Sequence, residues 1–559
     1  MTYSVRVETR SFQNHSGIRL DADVYTPEGD GPFPVLVMRQ PYGRAIASTV
    51  VYAHPRWYAA HGYIVVIQDV AGRGSSSGDF EPFGSQEIAD GYDTVQWAAH
   101  LPKSDGQVGM YGFSYQGMTQ LYAAQAHPSA LKAICPAMAA ADLYSGWFYE
   151  NRAFCLQVNL TWALQLGAET ARRYHDESAF QRLRAAAQQP PFEHLPETLH
   201  NDLQRYAPFY FDWHNQTDPE GGYWRSRNPK LESIAPELPM LHVGGWFDPY
   251  LRGTLALYQK MQSTSTAAQL LLIGPWGHLP WGRYAGSKDF GPAAQNPIDA
   301  LQLRWFDHWL KGIDTGLLNN PPVSVFAMGD NTWRSYAAWP PTASPTSFYL
   351  ESNGLASTRE DAGHLKRESP TGNDPIPDVL VHDPWRPVPS LGGHAALPAG
   401  VFERSHLDSR TDVLTYTTAL LETPLHLCGS AALTLTVASS HPQFDLAATL
   451  AQITPEGQIE NLTQGYGHYN AISQTIELAL QDCCVVIPAG HQLRLSVSGA
   501  SFPAYPVPLS HHRLDGNPLP AHVITLQVTS SAATPAQLQL PHIAMVAVPD
   551  TEVTGTSDP

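Results

Sequence analysis

Three side chains in this sequence are of the types needed for nucleophilic acyl transfer. Ser114 lies in GMYGFSYQG, Asp248 in LHVGGWFD and His278 in LLIGPWGH. A serine hydroxyl is a weak nucleophile until a base removes its proton, and an imidazole is a suitable base near neutral pH. A carboxylate can hold the imidazole in the required tautomer and stabilise the imidazolium that forms. The elements that precede these residues decide whether the three side chains can meet.

Three glycines, Gly109, Gly112 and Gly117, surround Ser114 and allow two interpretations. Glycine and serine could simply supply a turn at this point. Alternatively, they hold Ser114 on a sharp strand-to-helix turn, which is where a G-x-S-x-G motif places a nucleophile. The segment reads G-x-S-x-x-G, so its second glycine comes one residue late. The motif alone therefore leaves both interpretations open.

The first part of the chain alternates apolar, strand-like runs with segments of helical periodicity. Continuous apolar runs at 35–38 and 63–69 are typical of buried parallel strands, and a shorter run at 108–111 is a further strand candidate. Helical spacing of apolar residues predicts helices over 88–101 and 118–126. This alternation indicates a doubly wound α/β sheet. Helical patterns without clear strands follow at 145–239, and they predict a helical insertion.

The α/β pattern returns after the insertion and then gives way to a different one. Apolar runs at 239–246 and 269–276 predict buried strands, and the run at 321–329 is a candidate for a last strand. The segment 299–311 has the periodicity of an amphipathic helix. From about residue 342 the chain is rich in Pro, Thr, Ser and Gly with short alternating runs, which predicts a β sandwich or jelly roll. We therefore expect an α/β part (1–144 and 240–341), a helical insertion (145–239) and a β part (342–559).

The reactive residues lie where such a sheet would bring them together. In open α/β sheets, ligands bind just outside the carboxyl ends of the strands. Ser114, Asp248 and His278 each follow a predicted parallel strand, and their order along the chain is that of α/β-hydrolases. We therefore predict Ser114 as the nucleophile, His278 as the general base and Asp248 as the residue that orients His278.

Several motifs resemble those of the CocE/NonD family, which belongs to the Xaa-Pro dipeptidyl-peptidase-like hydrolases. They are MRQPYGR (38–44), QDVAGRGSSSGDF (68–80), GFSYQG (112–117), GGWFDPY (244–250), GPWGH (274–278), HDPWRPVPSLGG (382–393) and SGASFPAYP (498–506). The resemblance extends over nearly the whole chain, and the late glycine after Ser114 is similar to the family's pattern. It implies an α/β-hydrolase domain with an inserted helical cap, plus a C-terminal all-β jelly-roll domain.

The same resemblance implies the roles of the site residues. It matches Ser114, Asp248 and His278 to the family's catalytic residues, and Tyr42 to the tyrosine whose hydroxyl donates to the oxyanion. The backbone N–H of Tyr115 would be the second oxyanion donor. No metal ion and no cofactor is implied, and the 24 histidines include no HExxH spacing.

Aromatic residues in and beside the insertion indicate the nature of the acyl group. We expect Trp147, Trp162, Trp246 and Phe247 to contribute to the substrate pocket. Aromatic side chains bring a large apolar area with defined geometry, so the group they hold should be apolar or aromatic. The resemblance to the family implies a small-molecule carboxylic ester as the substrate, with amides as a second class.

A substrate carrying an α-ammonium group is disfavoured by two residues. α-Amino acid ester hydrolases of this superfamily hold that group with extra carboxylates, two of them placed two and three positions after the catalytic aspartate. Here these positions are Tyr250 and Leu251, which carry no charge. Asp142 and Glu150, in the segment that leads into the insertion, are carboxylates that could hold the ammonium group, so this substrate class remains an alternative.

Four alternatives to the esterase therefore remain at this stage. An α-amino acid ester hydrolase and a Xaa-Pro dipeptidyl-peptidase both bind an amine. A biosynthetic acyl transferase would let an amine or an alcohol capture the acyl-enzyme in place of water. A binding protein on an inactive hydrolase fold is the most distant of the four.

The composition limits the kinds of partner and the cellular compartment that we expect for this protein. A net charge of −18 argues against nucleic acid and against an anionic membrane surface as partners, and no run of 18 apolar residues suggests a membrane span. The five cysteines are few and odd in number, with no zinc-type spacing, so we expect no disulfide framework. The first residues lack an apolar secretory signal, and we expect a cytoplasmic protein. Assembly into a homo-oligomer is left open.

Overall fold

A computed structural model describes residues 2–45, 49–507 and 522–543 of the chain. Its first part alternates strands and helices as the sequence predicts, although the β1–β2 hairpin, α1 and β6 were not predicted. In chain order the elements are β1 (Val5–Gln13), β2 (Arg19–Pro27), β3 (Phe33–Gln40), α1 (Pro55–Ala60), β4 (Ile64–Asp69), α2 (Gln86–Ala99), β5 (Ser104–Phe113), α3 (Tyr115–Gln125) and β6 (Leu131–Ala137).

The predicted insertion is mainly helical and packs on the sheet domain. Leu160 and Leu164 of its longest helix share an apolar cluster with Met118 of α3. A π-helical turn, Tyr144–Phe148, leads into the insertion. The elements that follow are β7 (Tyr149–Glu150), β8 (Ala153–Phe154), α4 (Leu156–Arg173), α5 (Glu177–Gln188), α6 (Glu197–Tyr206), α7 (Phe209–Asn215), α8 (Gly222–Arg227) and a 3₁₀ turn, Leu231–Ser233.

The chain then returns to the sheet. The elements of this part are β9 (Met240–Phe247), α9 (Leu251–Thr264), β10 (Gln269–Gly277), β11 (Tyr284–Ala285), β12 (Lys288–Asp289), a 3₁₀ turn (Pro292–Ala294), α10 (Ile298–Lys311), a 3₁₀ turn (Leu317–Asn319), β13 (Val323–Ala327) and β14 (Thr332–Tyr336). The strands β9, β10 and β13 agree with the predicted apolar runs, whereas α9 was not predicted.

Ten of these strands form one mixed sheet in the order β1-β2-β4-β3-β5-β6-β9-β10-β13-β14. The strands from β4 to β13 run parallel, and the remaining strands are antiparallel at the two edges. Helices cover both faces, since Val95 and Met118 of α2 and α3 pack on one face while Tyr58 and Trp305 of α1 and α10 pack on the other. This is the predicted α/β-hydrolase architecture, and it aligns the carboxyl ends of β5, β9 and β10.

The last part is a strand-rich domain with one short helix. Its elements are β15 (Ser344–Glu351), β16 (His364–Lys366), β17 (Asp378–His382), α11 (Ser405–Asp408), β18 (Val413–Thr417), β19 (Leu425–Gly429), β20 (Ala432–Ser439), β21 (Gln443–Ile453), β22 (Ile459–Asn470), β23 (Ser473–Ala479), β24 (Cys483–Ile487), β25 (Gln492–Ser498), β26 (Ile524–Thr529) and β27 (Gln537–His542). The predicted jelly roll agrees with these mainly antiparallel strands around an apolar core. Residues 508–521 and 544–559 of the predicted β part lie outside the described residues.

Within the described part of the chain, no helix combines the length and the apolar character that crossing a bilayer requires.

Candidate active site

Ser114 occupies a strained turn between β5 and α3. Its backbone φ is +62° and its ψ is −129°, a region that non-glycine residues rarely adopt. A Cβ at Gly112 would lie 2.5 Å from the Cβ of Gln116, and a Cβ at Gly117 would lie 2.7 Å from the carbonyl oxygen of Ala137. Both glycines are therefore required for close packing of the turn and of α3 on β6. The glycine that comes one residue late in the motif is the one that faces β6.

His278 lies between Ser114 and Asp248. Its Nε2 is 3.0 Å from Ser114 Oγ, and its Nδ1 is 2.8 Å from Asp248 Oδ1. When Nδ1 carries the proton and donates to the carboxylate, Nε2 has a lone pair that can accept the serine proton. Asp248 follows β9 and is fully buried, whereas the side chain of His278, after β10, is 24% exposed. The structure thus brings the three predicted residues into one hydrogen-bonded chain.

Neighbouring side chains hold His278 and Asp248 in place. The ring of Tyr250 meets the imidazole of His278 edge to face at 5.0 Å between centroids, and Trp281 Nε1 donates to the carbonyl oxygen of His278 at 3.1 Å. Gln481, between β23 and β24, donates through Nε2 to the carbonyl oxygens of Trp246 at 2.9 Å and Asp248 at 3.3 Å. The C-terminal domain therefore contacts the backbone of the Asp248 loop directly.

The two predicted oxyanion donors lie beside Ser114. Tyr42 is half-buried and lines the same cavity as Ser114 and His278. Burial raises the pKa of Tyr42 to about 12, although polar groups of Trp162 and Ser114 favour the ionised form, so the phenol keeps its proton. Tyr115 is the first residue of α3, and a backbone N–H at that position has no acceptor within its own helix. Both groups can therefore donate a hydrogen bond.

A buried carboxylate fixes the segment that carries Tyr42. Gln40 Oε1 accepts from the backbone N–H of Tyr42 at 2.8 Å, and Gln40 Nε2 donates to Asp69 Oδ1 at 2.9 Å. Asp69 also accepts from the backbone N–H of Arg44 at 2.7 Å and from Arg44 Nη1 at 2.6 Å. Asp69 thus holds the chain on both sides of Tyr42. This role was not predicted from the sequence, although Asp69 lies in the QDVAGRGSSSG segment.

A cavity of about 900 Å³ opens in front of Ser114. It is mainly apolar, and no Asp, Glu, Lys or Arg is among its described lining residues. All three parts of the chain contribute to it, and its apolar lining residues include Trp147, Val158, Trp162, Tyr250, Leu397 and Phe402. A ligand here would contact the sheet domain, the insertion and the C-terminal domain together.

The predicted pocket residues divide into two pairs. Trp147 and Trp162 line the cavity, and Trp147 stacks on Tyr250 at 3.9 Å between centroids. Trp246 and Phe247 lie instead in the apolar cluster that joins β9 to the C-terminal domain. Trp246 Nε1 donates to the carbonyl oxygen of Phe326 at 2.7 Å, which fixes the indole away from the cavity. The placement of Trp246 and Phe247 in the pocket is therefore corrected.

The carboxylates that could have held a substrate ammonium are engaged elsewhere. Glu150 Oε2 accepts from Arg252 Nη1 at 2.8 Å, His394 Nε2 at 2.8 Å and the Tyr505 hydroxyl at 2.6 Å. Burial would raise the pKa of Glu150, but Arg252 and His394 outweigh burial and hold it at about 2. Asp142 accepts from the backbone and the hydroxyl of Ser145 and from the amide of Asn228.

One group of potential metal ligands occurs among the residues that the structure describes. It consists of His426, Cys428 and Cys484, all buried in the C-terminal domain. None of the three lines the cavity in front of Ser114.

Two protein-family models match the chain. The X-Pro dipeptidyl-peptidase (S15 family) model matches residues 16–280, and the X-Pro dipeptidyl-peptidase C-terminal non-catalytic domain matches residues 315–530. A relative named cocaine esterase, from Rhodococcus sp. (strain MB1 Bresler), is 32% identical over 526 residues, which cover 88% of this chain and 90% of the relative.

Solved structures share the fold over nearly the full length. An aminopeptidase from a marine sediment archaeon (Thaumarchaeota archaeon) has a TM-score of 0.78 at 22% identity, covering 97% of both chains. An α-amino acid ester hydrolase labelled with selenomethionine has a TM-score of 0.77 at 20% identity, covering 96% of this chain and 97% of the other. At such identities these two structures establish the fold alone.

Proposed function

This chain belongs to the CocE/NonD family of serine hydrolases, within the X-Pro dipeptidyl-peptidase-like superfamily, and from that premise we propose that Ser114 attacks the carbonyl carbon of a carboxylic ester. The protein is accordingly a serine hydrolase that acts on esters. The observation that carries the assignment to Ser114 is its position on a strained turn, 3.0 Å from the Nε2 of a histidine that is itself bonded to a buried carboxylate.

The reaction would proceed in two acyl-transfer steps. As Ser114 Oγ bonds to the ester carbon, His278 Nε2 takes the serine proton, and Asp248 stabilises the imidazolium. The Tyr42 hydroxyl and the Tyr115 N–H donate to the oxyanion, and a donor of this kind is typically worth about 10²–10³ in kcat. His278 then protonates the leaving alcohol. Water, deprotonated by His278, releases the acid and restores Ser114.

The cavity supports an uncharged ester with a bulky apolar or aromatic group. Its volume of about 900 Å³ is within the range of sites for drug-sized ligands. Trp147 and Trp162 provide flat apolar walls, and no Asp, Glu, Lys or Arg lines the cavity among the described residues. Desolvating a charged substrate in such a site would cost free energy without a compensating partner.

The same surroundings weigh against the amine-binding alternatives. Tyr250 packs against Trp147 and His278, and Leu251 is buried at the start of α9. Glu150 is neutralised by Arg252 and does not line the cavity. An α-amino acid ester hydrolase or a dipeptidyl-peptidase would need a free carboxylate for the substrate ammonium. We therefore propose an ester without an ammonium group ahead of these two alternatives, with water as the acyl acceptor.

A hydrolysis panel tests this assignment. It compares p-nitrophenyl acetate, butyrate and benzoate with phenylglycine methyl ester and a Gly-Pro anilide. We expect the three simple esters to be cleaved, with benzoate or butyrate preferred, and the two amine-bearing substrates to react poorly. Preference for the amine-bearing substrates would contradict the proposed pocket.

We also propose a cytoplasmic location and small molecules rather than nucleic acid as partners. The low cysteine content and the net charge of −18 support these assignments. Fractionation of the producing cells, followed by immunodetection, tests the location. Recovery of the protein in the extracellular fraction would contradict it.

A further inference from the structure

Two cysteines of the C-terminal domain face each other on neighbouring antiparallel strands. Cys428 of β19 and Cys484 of β24 are direct partners in the strand register, and their Sγ atoms are 2.9 Å apart. This is closer than sulfur atoms pack when they are merely in contact, yet it exceeds the bond length of about 2.05 Å in a disulfide. Both thiols are fully buried.

The backbone at this pair has the geometry that a cross-strand disulfide requires. The carbonyl oxygen of Cys484 accepts from Met328 N at 2.9 Å, and Val486 N donates to Met328 O at 2.8 Å, so this edge of β24 faces away from β19. Cys428 and Cys484 therefore form a non-hydrogen-bonded pair. In such pairs the Cα atoms are about 4.5 Å apart, which lies within the disulfide range of about 4.4–6.8 Å.

His426 lies between this cysteine pair and the guanidinium of Arg334. Its Nε2 lies 3.5 Å from Cys484 Sγ, and its Nδ1 lies 3.5 Å from Arg334 Nη1. Burial and then the Arg334 guanidinium lower the pKa of His426 to about 4, so the ring is neutral. Because a guanidinium can only donate, Nδ1 accepts and the single ring proton lies on Nε2, directed at the sulfur. A cation bound at the cysteines would lie close to the positive charge of Arg334, which opposes its binding.

We propose that Cys428 and Cys484 are a redox pair that closes to a disulfide when hydrogen peroxide is the oxidant. One thiolate sulfur attacks a peroxide oxygen, so that an S–O bond forms, the O–O bond breaks and water leaves with the thiol proton. The second sulfur attacks the resulting sulfenic acid, an S–S bond forms, and hydroxide leaves and takes the second thiol proton. Overall, two thiols and one peroxide give one disulfide and two waters.

The position of the pair gives the disulfide a structural consequence. It would join β19 covalently to β24, and β24 begins two residues after Gln481. Gln481 donates to the carbonyl oxygens of Trp246 and Asp248, so the strand that would be joined is continuous with the support of the active-site loop. Burial raises the pKa of the Cys484 thiol, so closure is expected to be slow and to require hours of exposure.

Counting thiols on the full-length protein tests the proposal. The protein is incubated with hydrogen peroxide, freed of oxidant, denatured and labelled with a maleimide, and its mass is measured. With five cysteines in the chain, we expect five labels before oxidation and three after it. The unlabelled oxidised chain should be about 2 Da lighter, the mass of two hydrogen atoms. Dithiothreitol should restore five labels.

Serine variants of the adjacent cysteines locate the bond. Cys484→Ser should give four labels before and after oxidation. Cys483→Ser is the matched control, because side chains alternate along a strand and Cys483 faces away from Cys428. It should fall from four labels to two. If a variant fails to fold, the wild-type protein alone tests the proposal. Proteolysis of its oxidised form must then give a disulfide-linked peptide pair that contains Cys428 and Cys484.

Three results would overturn the proposal. The first is five labels on wild type after prolonged oxidation. The second is a gain of oxygen atoms on these cysteines without loss of two hydrogens. The third is one equivalent of zinc or copper in the purified protein that is lost in Cys484→Ser, because the cluster would then be a metal site. We expect metal analysis to give far less than one equivalent.

Discussion

The side-chain amide of Gln481 lies 3.3 Å from the carbonyl oxygen of Asp248, although 233 residues separate the two in sequence. The same amide donates to the carbonyl oxygen of Trp246 at 2.9 Å. The strand-rich domain therefore supports the loop that orients His278. It is part of the active-site structure as well as a wall of the cavity.

Replacing Gln481 with leucine should impair turnover more than binding. The variant keeps the approximate volume but removes both hydrogen bonds, so the Asp248 loop loses its support and the imidazole is less well oriented. Small displacements of catalytic groups are costly, and we expect kcat to fall about 10-fold with little change in KM. Steady-state kinetics with p-nitrophenyl butyrate measure this. Gln527→Leu, at an exposed position on β26, is the control, and equal losses in both variants would contradict the role of Gln481.

Asp69 should act on catalysis through Tyr42. Asp69→Asn replaces a carboxylate oxygen that accepts from Arg44 with an amide that cannot, which loosens the segment holding Tyr42. We expect kcat to fall about 10-fold in this variant, and about 10²–10³-fold in Tyr42→Phe, which removes the oxyanion donor.

A double-mutant cycle separates positioning from general destabilisation. If Asp69 works by placing the Tyr42 hydroxyl, Asp69→Asn should have little further effect on kcat in the Tyr42→Phe background. Fully multiplicative losses in the double variant would show that Asp69 acts independently of Tyr42.

Glu150 should make the folded protein sensitive to acid. Its pKa is about 2 in the folded protein, against 4.5 for a free glutamate. Because the folded pKa is the lower one, the ionised group stabilises the fold above about pH 4.5, and this contribution is lost as the pH falls toward 2. The difference corresponds to at most about 3 kcal/mol. Denaturant unfolding at several pH values should give a shallower acid dependence for Glu150→Gln than for wild type.

The matched control for this pH dependence is Glu422→Gln, at an exposed position in the same protein. It should keep the acid dependence of wild type. If Glu150→Gln also keeps that dependence, the ionised Glu150 does not contribute to stability as described.

Trp162 should set the preference for large acyl groups. It is half-buried and lines the cavity beside Tyr42 and Trp147. Trp162→Ala removes apolar contact area that a benzoyl or butyryl group would bury but that an acetyl group is too small to reach. We expect kcat/KM for p-nitrophenyl benzoate to fall about 10-fold, with a smaller loss for the acetate. The exposed Trp385→Ala is the control, and an equal loss for both esters in Trp162→Ala would contradict acyl-group contact.

The sequence predicted those elements whose residues are buried on both faces. β3 and β4 are continuous apolar runs in the middle of the sheet, and they agree with the structure. β6 was missed because Pro136 lies inside it, and proline usually argues against an inner strand. α9 was missed because it begins at Leu251 without a side-chain cap, so the usual start signal is absent.

The reactive residues could be found from local motifs, but their supports could not. Ser114, Asp248 and His278 each follow a strand, and the parallel sheet brings such positions together. Gln481 and Asp69 have no recognisable motif, because their roles depend on contacts that form only when distant segments fold together. Trp246 and Phe247 were expected in the cavity because they adjoin Asp248, but β9 directs them into the apolar cluster.

The central claim is that Ser114 carries the acyl group during turnover. The most direct measurement is intact-protein mass spectrometry after rapid acid quenching of the enzyme mixed with p-nitrophenyl benzoate, followed by peptide mapping. The account predicts one benzoyl group per chain, located on Ser114, and no adduct in Ser114→Ala, whose hydrolysis rate should fall at least about 10³-fold. A benzoyl group on another residue, or wild-type hydrolysis by Ser114→Ala, would contradict the account.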